Sequence, residues 1–155
     1  MDLNEDTKSF SGSEVEVFNC SATDLSFITD DFIDVVFMSN FLEHMCNKDE
    51  VLKIILESYR VLKRGGVILI LQPNIKFAYK EYWDFFDHNV PLSDKSLVEA
   101  LGIAGFEVDK VISAFLPYTT KSRLPQWELL VRIYLKLPFI WRILGKQVLV
   151  IGRKK

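Results

Sequence analysis

Short apolar runs alternate with longer stretches of helical period along the 155-residue chain. Val15-Glu16-Val17-Phe18-Asn19 switches between apolar and polar positions, as a half-buried strand does. Residues 21–31 are polar and end in Thr29-Asp30-Asp31, the composition of a loop. Ile33 to Ser39 is nearly continuously apolar and β-branched at its centre, the pattern of a strand covered on both faces. Asn47 or Asp49 can cap a helix running through Leu62, with Val51, Ile54, Ile55, Tyr59 and Val61 or Leu62 on one face. Lys63-Arg64 would put positive charge in its last turn, and Gly65-Gly66 would stop it. Val67 to Leu71 reads as a second buried strand, ended by Gln72-Pro73-Asn74.

Phe77 to Phe86 also carries Tyr79, Tyr82, Trp83 and Phe85, and is either a helix packed on the sheet or an apolar lid. Asp87-His88-Asn89 breaks it. Ser93 begins a helix through Leu97, Leu101 and Ile103, closed by Gly105. Phe106 to Ile112 alternates like a strand, and Gln147 to Gly152 is the last one. Residues 116–145, basic and aromatic, hold one or two short helices between Pro125 and Gly145. Strands spaced by helices predict an α/β layered domain with a largely parallel sheet. Only short helices separate the last two strands, so the final one can run antiparallel. The length suits a single domain, 1–155, with 116–145 as an insertion before the last strand.

Composition adds a core and an asymmetry. Apolar residues make up 49% and there are 12 Phe, enough to bury a core. The net charge of −2 conceals two unlike parts: residues 1–120 carry 10 basic and 20 acidic side chains, residues 121–155 nine basic and one acidic. Three readings of the basic part stand. Tyr118, Lys121, Arg123 and Arg132 could line a pocket for an acidic or sugar-phosphate substrate. Leu129–Leu144, with Arg132, Lys136, Trp141 and Arg142, could lie on an anionic membrane, giving 121–155 a peripheral contact. Or the cations are simply a solvated face. No recognition motif accompanies the charge, so no nucleic-acid partner is expected. The acidic, polar N-terminus is unlike a targeting segment, and no apolar run reaches the roughly 20 residues of a membrane span. Cys20 and Cys46 form no disulfide or C-x-x-C framework, which suits a reducing cytoplasm.

The order of motifs is more specific than the pattern. Asp24-Leu25-Ser26-Phe27, then Asp30-Asp31-Phe32-Ile33-Asp34-Val35-Val36-Phe37-Met38-Ser39-Asn40-Phe41-Leu42-Glu43-His44, resembles the middle of a class I S-adenosylmethionine-dependent methyltransferase. Arg60-Val61-Leu62-Lys63-Arg64-Gly65-Gly66, the strand Val67–Leu71 and Gly102-Ile103-Ala104-Gly105-Phe106-Glu107-Val108 continue the likeness over roughly residues 1–115. The resemblance implies a Rossmann-like methyltransferase sheet, S-adenosylmethionine as cofactor, and methyl transfer to an oxygen or nitrogen of a small molecule or glycan. It also exposes a departure. Such enzymes look as if they begin with a strand and a glycine-rich turn, and no G-x-G cluster occurs here near the N-terminus. An N-terminally truncated sheet follows, and with it a rival reading as an inactive remnant or interaction module. An oligomer is compatible with either.

By resemblance, Asp2 matches the acid that holds the cofactor ribose, or is a frayed terminal acid. Ser21, Ala22 and Thr23 match an adenine-contact loop. Ser39, Asn40 and Phe41 follow a buried strand at its carboxyl end, where open α/β sheets bind ligands; Asn40 is a cofactor contact, or an N-cap or Asx turn. His44 is a general base or, beside Glu43, a structural hydrogen-bonder. His88 is a base or the cap of the helix near Ser93. Asn74, Tyr118 and Arg123 are the substrate candidates. With only two His and no metal-ligand spacing, no metal site is expected.

Overall fold

The computed structural model describes residues 15–118 and 128–155. β1 (Ile33–Ser39) and β2 (Leu62–Pro73) pair in parallel, with Val35 opposite Val67 and Ser39 opposite Leu71. β3 (Phe106–Ile112) and β4 (Gln147–Lys154) complete a four-stranded sheet of order β1-β2-β4-β3. β4 is antiparallel to both neighbours, so β1, β2 and β3 share one direction. The α/β class and the antiparallel last strand are as the pattern predicts.

One face of the sheet carries the core. α1 (Lys48–Val61) contributes Val51, Ile54 and Ile55. α2 (Ile75–Tyr82) follows β2, and α3 (Asp94–Ile103) contributes Leu97 and Leu101. These side chains meet Ile68 and Ile70 of β2 and Val148 and Val150 of β4 in a single cluster. Burying each such Ile or Leu contributes roughly 1.5–3 kcal/mol. Asn47, not Asp49, caps α1: its side chain accepts from Glu50 N at 2.9 Å, while the Glu50 carboxylate accepts from Cys46 N at 2.9 Å. Ser93 caps α3 in a reciprocal box with Ser96.

Three expectations need correction. Val15–Asn19 forms no strand; Val15 and Phe18 are exposed, and no described strand offers them a ladder. Gly65-Gly66 do not end α1. Leu62 turns extended at ψ 139°, and the chain passes through Lys63-Arg64-Gly65-Gly66 as the start of β2, with Gly65 at φ 79°. Lys63 therefore pairs with Asp34 on β1 at 2.7 Å instead of serving a helix end. β1 is not covered on both faces among the described residues: Val35 is 55% and Phe37 63% exposed. The reason is that α1 and α3 pack on the opposite face. In the aromatic segment, Ala78 and Tyr82 of α2 are buried, while Phe77, Tyr79, Trp83 and Phe86 are exposed.

The described part of 116–145 holds two short helices, α4 (Glu128–Lys136) and α5 (Pro138–Leu144), neither with a buried residue. Tyr134 Oη donates to Phe115 O, and Trp141 Nε1 donates to Tyr134 O at 2.8 Å, tying them to the chain after β3. Among the described residues no helix is long and apolar enough to cross a membrane.

Candidate functional site

The site begins where β1 ends. Asn40 takes a left-handed backbone, φ 45°, which Asn tolerates better than most residues. Its N–H still donates to Leu71 O at 2.8 Å, so the sheet extends one residue before the chain turns away. Phe41 then leads into a single 3-10 turn, Leu42–His44, whose Leu42 and Glu43 are buried. Facing this turn is the loop of residues 20–31, clamped by Arg60. Its guanidinium donates to Leu25 O at 2.8 Å and Ile28 O at 2.9 Å, and bonds the Glu57 and Asp30 carboxylates. Glu57 in turn accepts from Leu25 N at 3.0 Å. The Arg60 guanidinium holds the Glu57 carboxyl below the usual carboxylate range, so this clamp stays charged.

Between loop and turn lies an open cleft of about 460 Å³, lined by Cys20, Ser21, Ala22, Thr23, Phe41, His44 and neighbouring residues. The Ser21 and Thr23 hydroxyls bond each other at 2.8 Å. A second groove of about 400 Å³ runs along β1 and shares Ala22, Phe41 and Ile54 with the first. Ser39 lines that groove. The walls are largely apolar, with hydroxyls at one rim.

A polar cluster adjoins the cleft at His44. Asn89 N and Val90 N both donate to Glu43 O, at 2.9 and 3.0 Å, and this pins the 87–90 segment against the 3-10 turn. The ring of His88 thereby comes within 5.0 Å of the ring of His44, edge to face. Ligand atoms of Glu43, His44 and His88 all lie within 4.8 Å of one another. His44 Nδ1 faces Asp87, 3.2 Å from its carbonyl and 3.1 Å from its carboxylate. Phe85 stacks on His88 at 4.7 Å, and the Tyr118 hydroxyl sits 3.5 Å from the ring nitrogens. Burial pushes the Glu43 carboxyl up and the His88 imidazole down, so both favour their neutral forms. Burial, reinforced by the nearby Glu43, pushes the Tyr118 phenol up to about 12.

The sequence candidates divide accordingly. Ser21, Ala22, Thr23, Ser39, Asn40 and Phe41 converge on the two connected grooves or the turn between them. Asn40 is not an N-cap; Phe41 occupies that position of the 3-10 turn. His88 does not cap α3, because Ser93 does. Asn74 is buried and used structurally: it caps α2 by accepting from Lys76 N and donates to Ser113 O at 3.0 Å, leaving no face for a substrate. Tyr118 is buried against His88 instead of lining a basic acceptor pocket. Asp2, Lys121 and Arg123 lie outside the described residues. The two His show no metal-ligand spacing in the sequence; backbone bonds to Glu43 O bring the His88 segment beside His44. Tyr82, buried with its hydroxyl unpartnered among the described residues, was also missed; only its place in a run of aromatics marked it.

Residues 2–70 match the family model described as a methyltransferase domain. No curated relative matches the sequence. Among solved structures, a SAM-dependent methyltransferase from Archaeoglobus fulgidus superposes with a TM-score of 0.72 at 20% identity, over 99% of this chain and 74% of that one. One from Methanosarcina mazei gives 0.64 at 19% identity, over 99% and 79%. A chain of the complex between the Haloferax volcanii Trm112 methyltransferase activator and a methyltransferase gives 0.66 at 18% identity, over 96% and 66%. The solved structures show that the described chain has the fold of S-adenosylmethionine-dependent methyltransferases, and the matched family pattern is confined to residues 2–70.

Proposed function

We propose that the cleft between residues 20–23 and the Ser39–His44 turn binds S-adenosylmethionine, and that the domain transfers its methyl group to an oxygen or nitrogen of a small molecule or glycan. The observation that carries this reading is that residues 21–23, Ser39 and Phe41 line two grooves that share Ala22, Phe41 and Ile54, with hydroxyls at the rim. Ala22, Phe41 and Ile54 suit the faces of a flat heterocycle, and Ser21 and Thr23 suit its polar edge. Ser39 and Asn40, at the strand end, suit the amino-acid part. The sulfonium, when bound, supplies an activated methyl and its own leaving group. The chain's task is then positioning, since in-line displacement depends on alignment. Taking up the acceptor's proton falls to the Glu43–His44–His88 cluster, which meets the cleft through His44.

Calorimetric titration with S-adenosylmethionine and S-adenosylhomocysteine tests the reading. Saturable binding is expected, lost in Ala22→Trp, which fills the shared wall of the two grooves. No heat at millimolar ligand would refute it and favour an interaction module. A second role is supported by α4 and α5, which bury nothing and expose Leu129, Leu130, Val131, Ile133, Leu135, Phe139, Ile143 and Leu144 beside Arg132, Lys136 and Arg142. That surface suits peripheral contact with an anionic membrane.

A further inference from the structure

Among the described residues, the Glu43 carboxylate is buried with nothing to balance it. It is 1% exposed, and neither oxygen has a hydrogen-bond partner among the described residues. A buried carboxylate without partners costs several kcal/mol when charged. Beside it stand two imidazoles, His88 at 6% exposure and His44 with its side chain 34% exposed toward the cleft.

We propose that Glu43, His44 and His88 form a binding site for a first-row divalent transition-metal ion. Two imidazoles and a carboxylate are the donor set such ions prefer, whereas Mg²⁺ and Ca²⁺ take mostly oxygen. The ligand atoms lie within 4.8 Å of one another. Around an ion at 2.0–2.2 Å, tetrahedrally placed ligands stand about 3.3–3.6 Å apart, so closure by up to roughly 1.5 Å is required. The partly exposed His44 is the member free to make it. Asp87 engages His44 Nδ1, which leaves Nε2 for the ion, the arrangement in which an outer carboxylate orients a metal-bound imidazole. Two backbone bonds to Glu43 O hold the His88 segment in place before any ion arrives. Three protein ligands leave positions for water or another oxygen on the cleft side. A bound ion takes the lone pair of His44, so activation of an acceptor hydroxyl passes from the imidazole to the ion; this last step alone rests on the proposed methyl transfer.

The test uses the full chain, untagged and stripped with a chelator. Co²⁺ is titrated by visible absorption and equilibrium dialysis, with Zn²⁺ and Mg²⁺ as competitors. Expected is a single ion bound at micromolar Co²⁺, displaced by Zn²⁺ and not by millimolar Mg²⁺. His44→Gln and Glu43→Gln should each weaken it at least 100-fold, and Asp87→Asn about 10-fold. The Cys20→Ser/Cys46→Ser pair should bind as the parent does. His44 is only partly buried, so its variant keeps the test open if Glu43→Gln fails to fold. No binding at about 1 mM Co²⁺ would overturn the site, as would binding unchanged in His44→Gln. Parallel titration with S-adenosylhomocysteine separates the two readings: ion binding without nucleoside binding sinks the methyltransferase reading alone, and the reverse sinks the ion site alone.

Discussion

Replacing Arg60 by Ala tests whether one side chain positions the loop that forms the cleft wall. The guanidinium is 28% exposed and donates to two carbonyls, those of Leu25 and Ile28. At this exposure each charged bond is worth about 1 kcal/mol. The i,i+3 pair with Glu57 adds about 0.3–0.5 kcal/mol. Asp30 is 70% exposed, and its pair adds almost nothing. Arg60→Ala should therefore cost about 2–3 kcal/mol, read from urea unfolding at pH 7. Amide exchange should report where the loss falls. Leu25 N, bound to Glu57, and Ile28 N, bound to Leu25 O at 2.8 Å, should exchange faster, while Ile70 and Val150 change only with global stability. Arg60→Lys should recover less than half of the loss, because a single ammonium cannot reach both carbonyls and both carboxylates. A cost below about 0.5 kcal/mol, or loop exchange that tracks the core, would refute the clamp.

Two further outcomes follow from other contacts. Asp94 accepts from Lys76 Nζ at 2.5 Å and Ser113 Oγ at 2.7 Å; burial pushes its carboxyl up, but these donors outweigh it and hold the group below the usual range. A lowered folded-state value contributes stability above about pH 4 and loses it as pH falls through that value. Asp94→Asn should cost about 1–2 kcal/mol at pH 7, and in denaturation at stepped pH the gap should close toward pH 2; a gap constant with pH would contradict this. The exposed apolar and basic surface of α4 and α5 predicts co-sedimentation with vesicles containing anionic lipid, weakened by salt and by Arg132→Glu/Lys136→Glu. Equal pelleting with neutral vesicles would count against it.

The elements with their own period and punctuation were legible in the sequence. Ile33–Ser39, the face of α1, Ser93 as a cap, and the reversed last strand all follow from local pattern. What failed depended on partners. Val15–Asn19 alternates correctly, yet alternation says nothing of a neighbouring strand. Gly65-Gly66 looked like a stop, but Gly65 instead supplies a positive φ within an extended entry to β2. Apolar runs in β1 implied two covered faces, although an exposed Phe37 and a buried Phe106 look alike in one dimension. In the site, several of the residues that line the cleft were reachable through the resemblance. The Glu43–His44–His88 grouping was not, because no spacing rule links a 3-10 turn to a loop that two backbone bonds bring beside it.

The sheet order has a consequence for how the chain reaches its native state. β2 and β3 do not pair; β4, the last of these four strands in chain order, is the one that joins them. During synthesis at roughly 5–20 residues per second, β2 and β3 are made before the partner they share exists. Until Gln147–Lys154 arrives, one edge of β2 and one of β3 stay open together. Cooperative folding of this sheet is thus held back until Gln147–Lys154 has been made, and the interval before it is when misassembly competes.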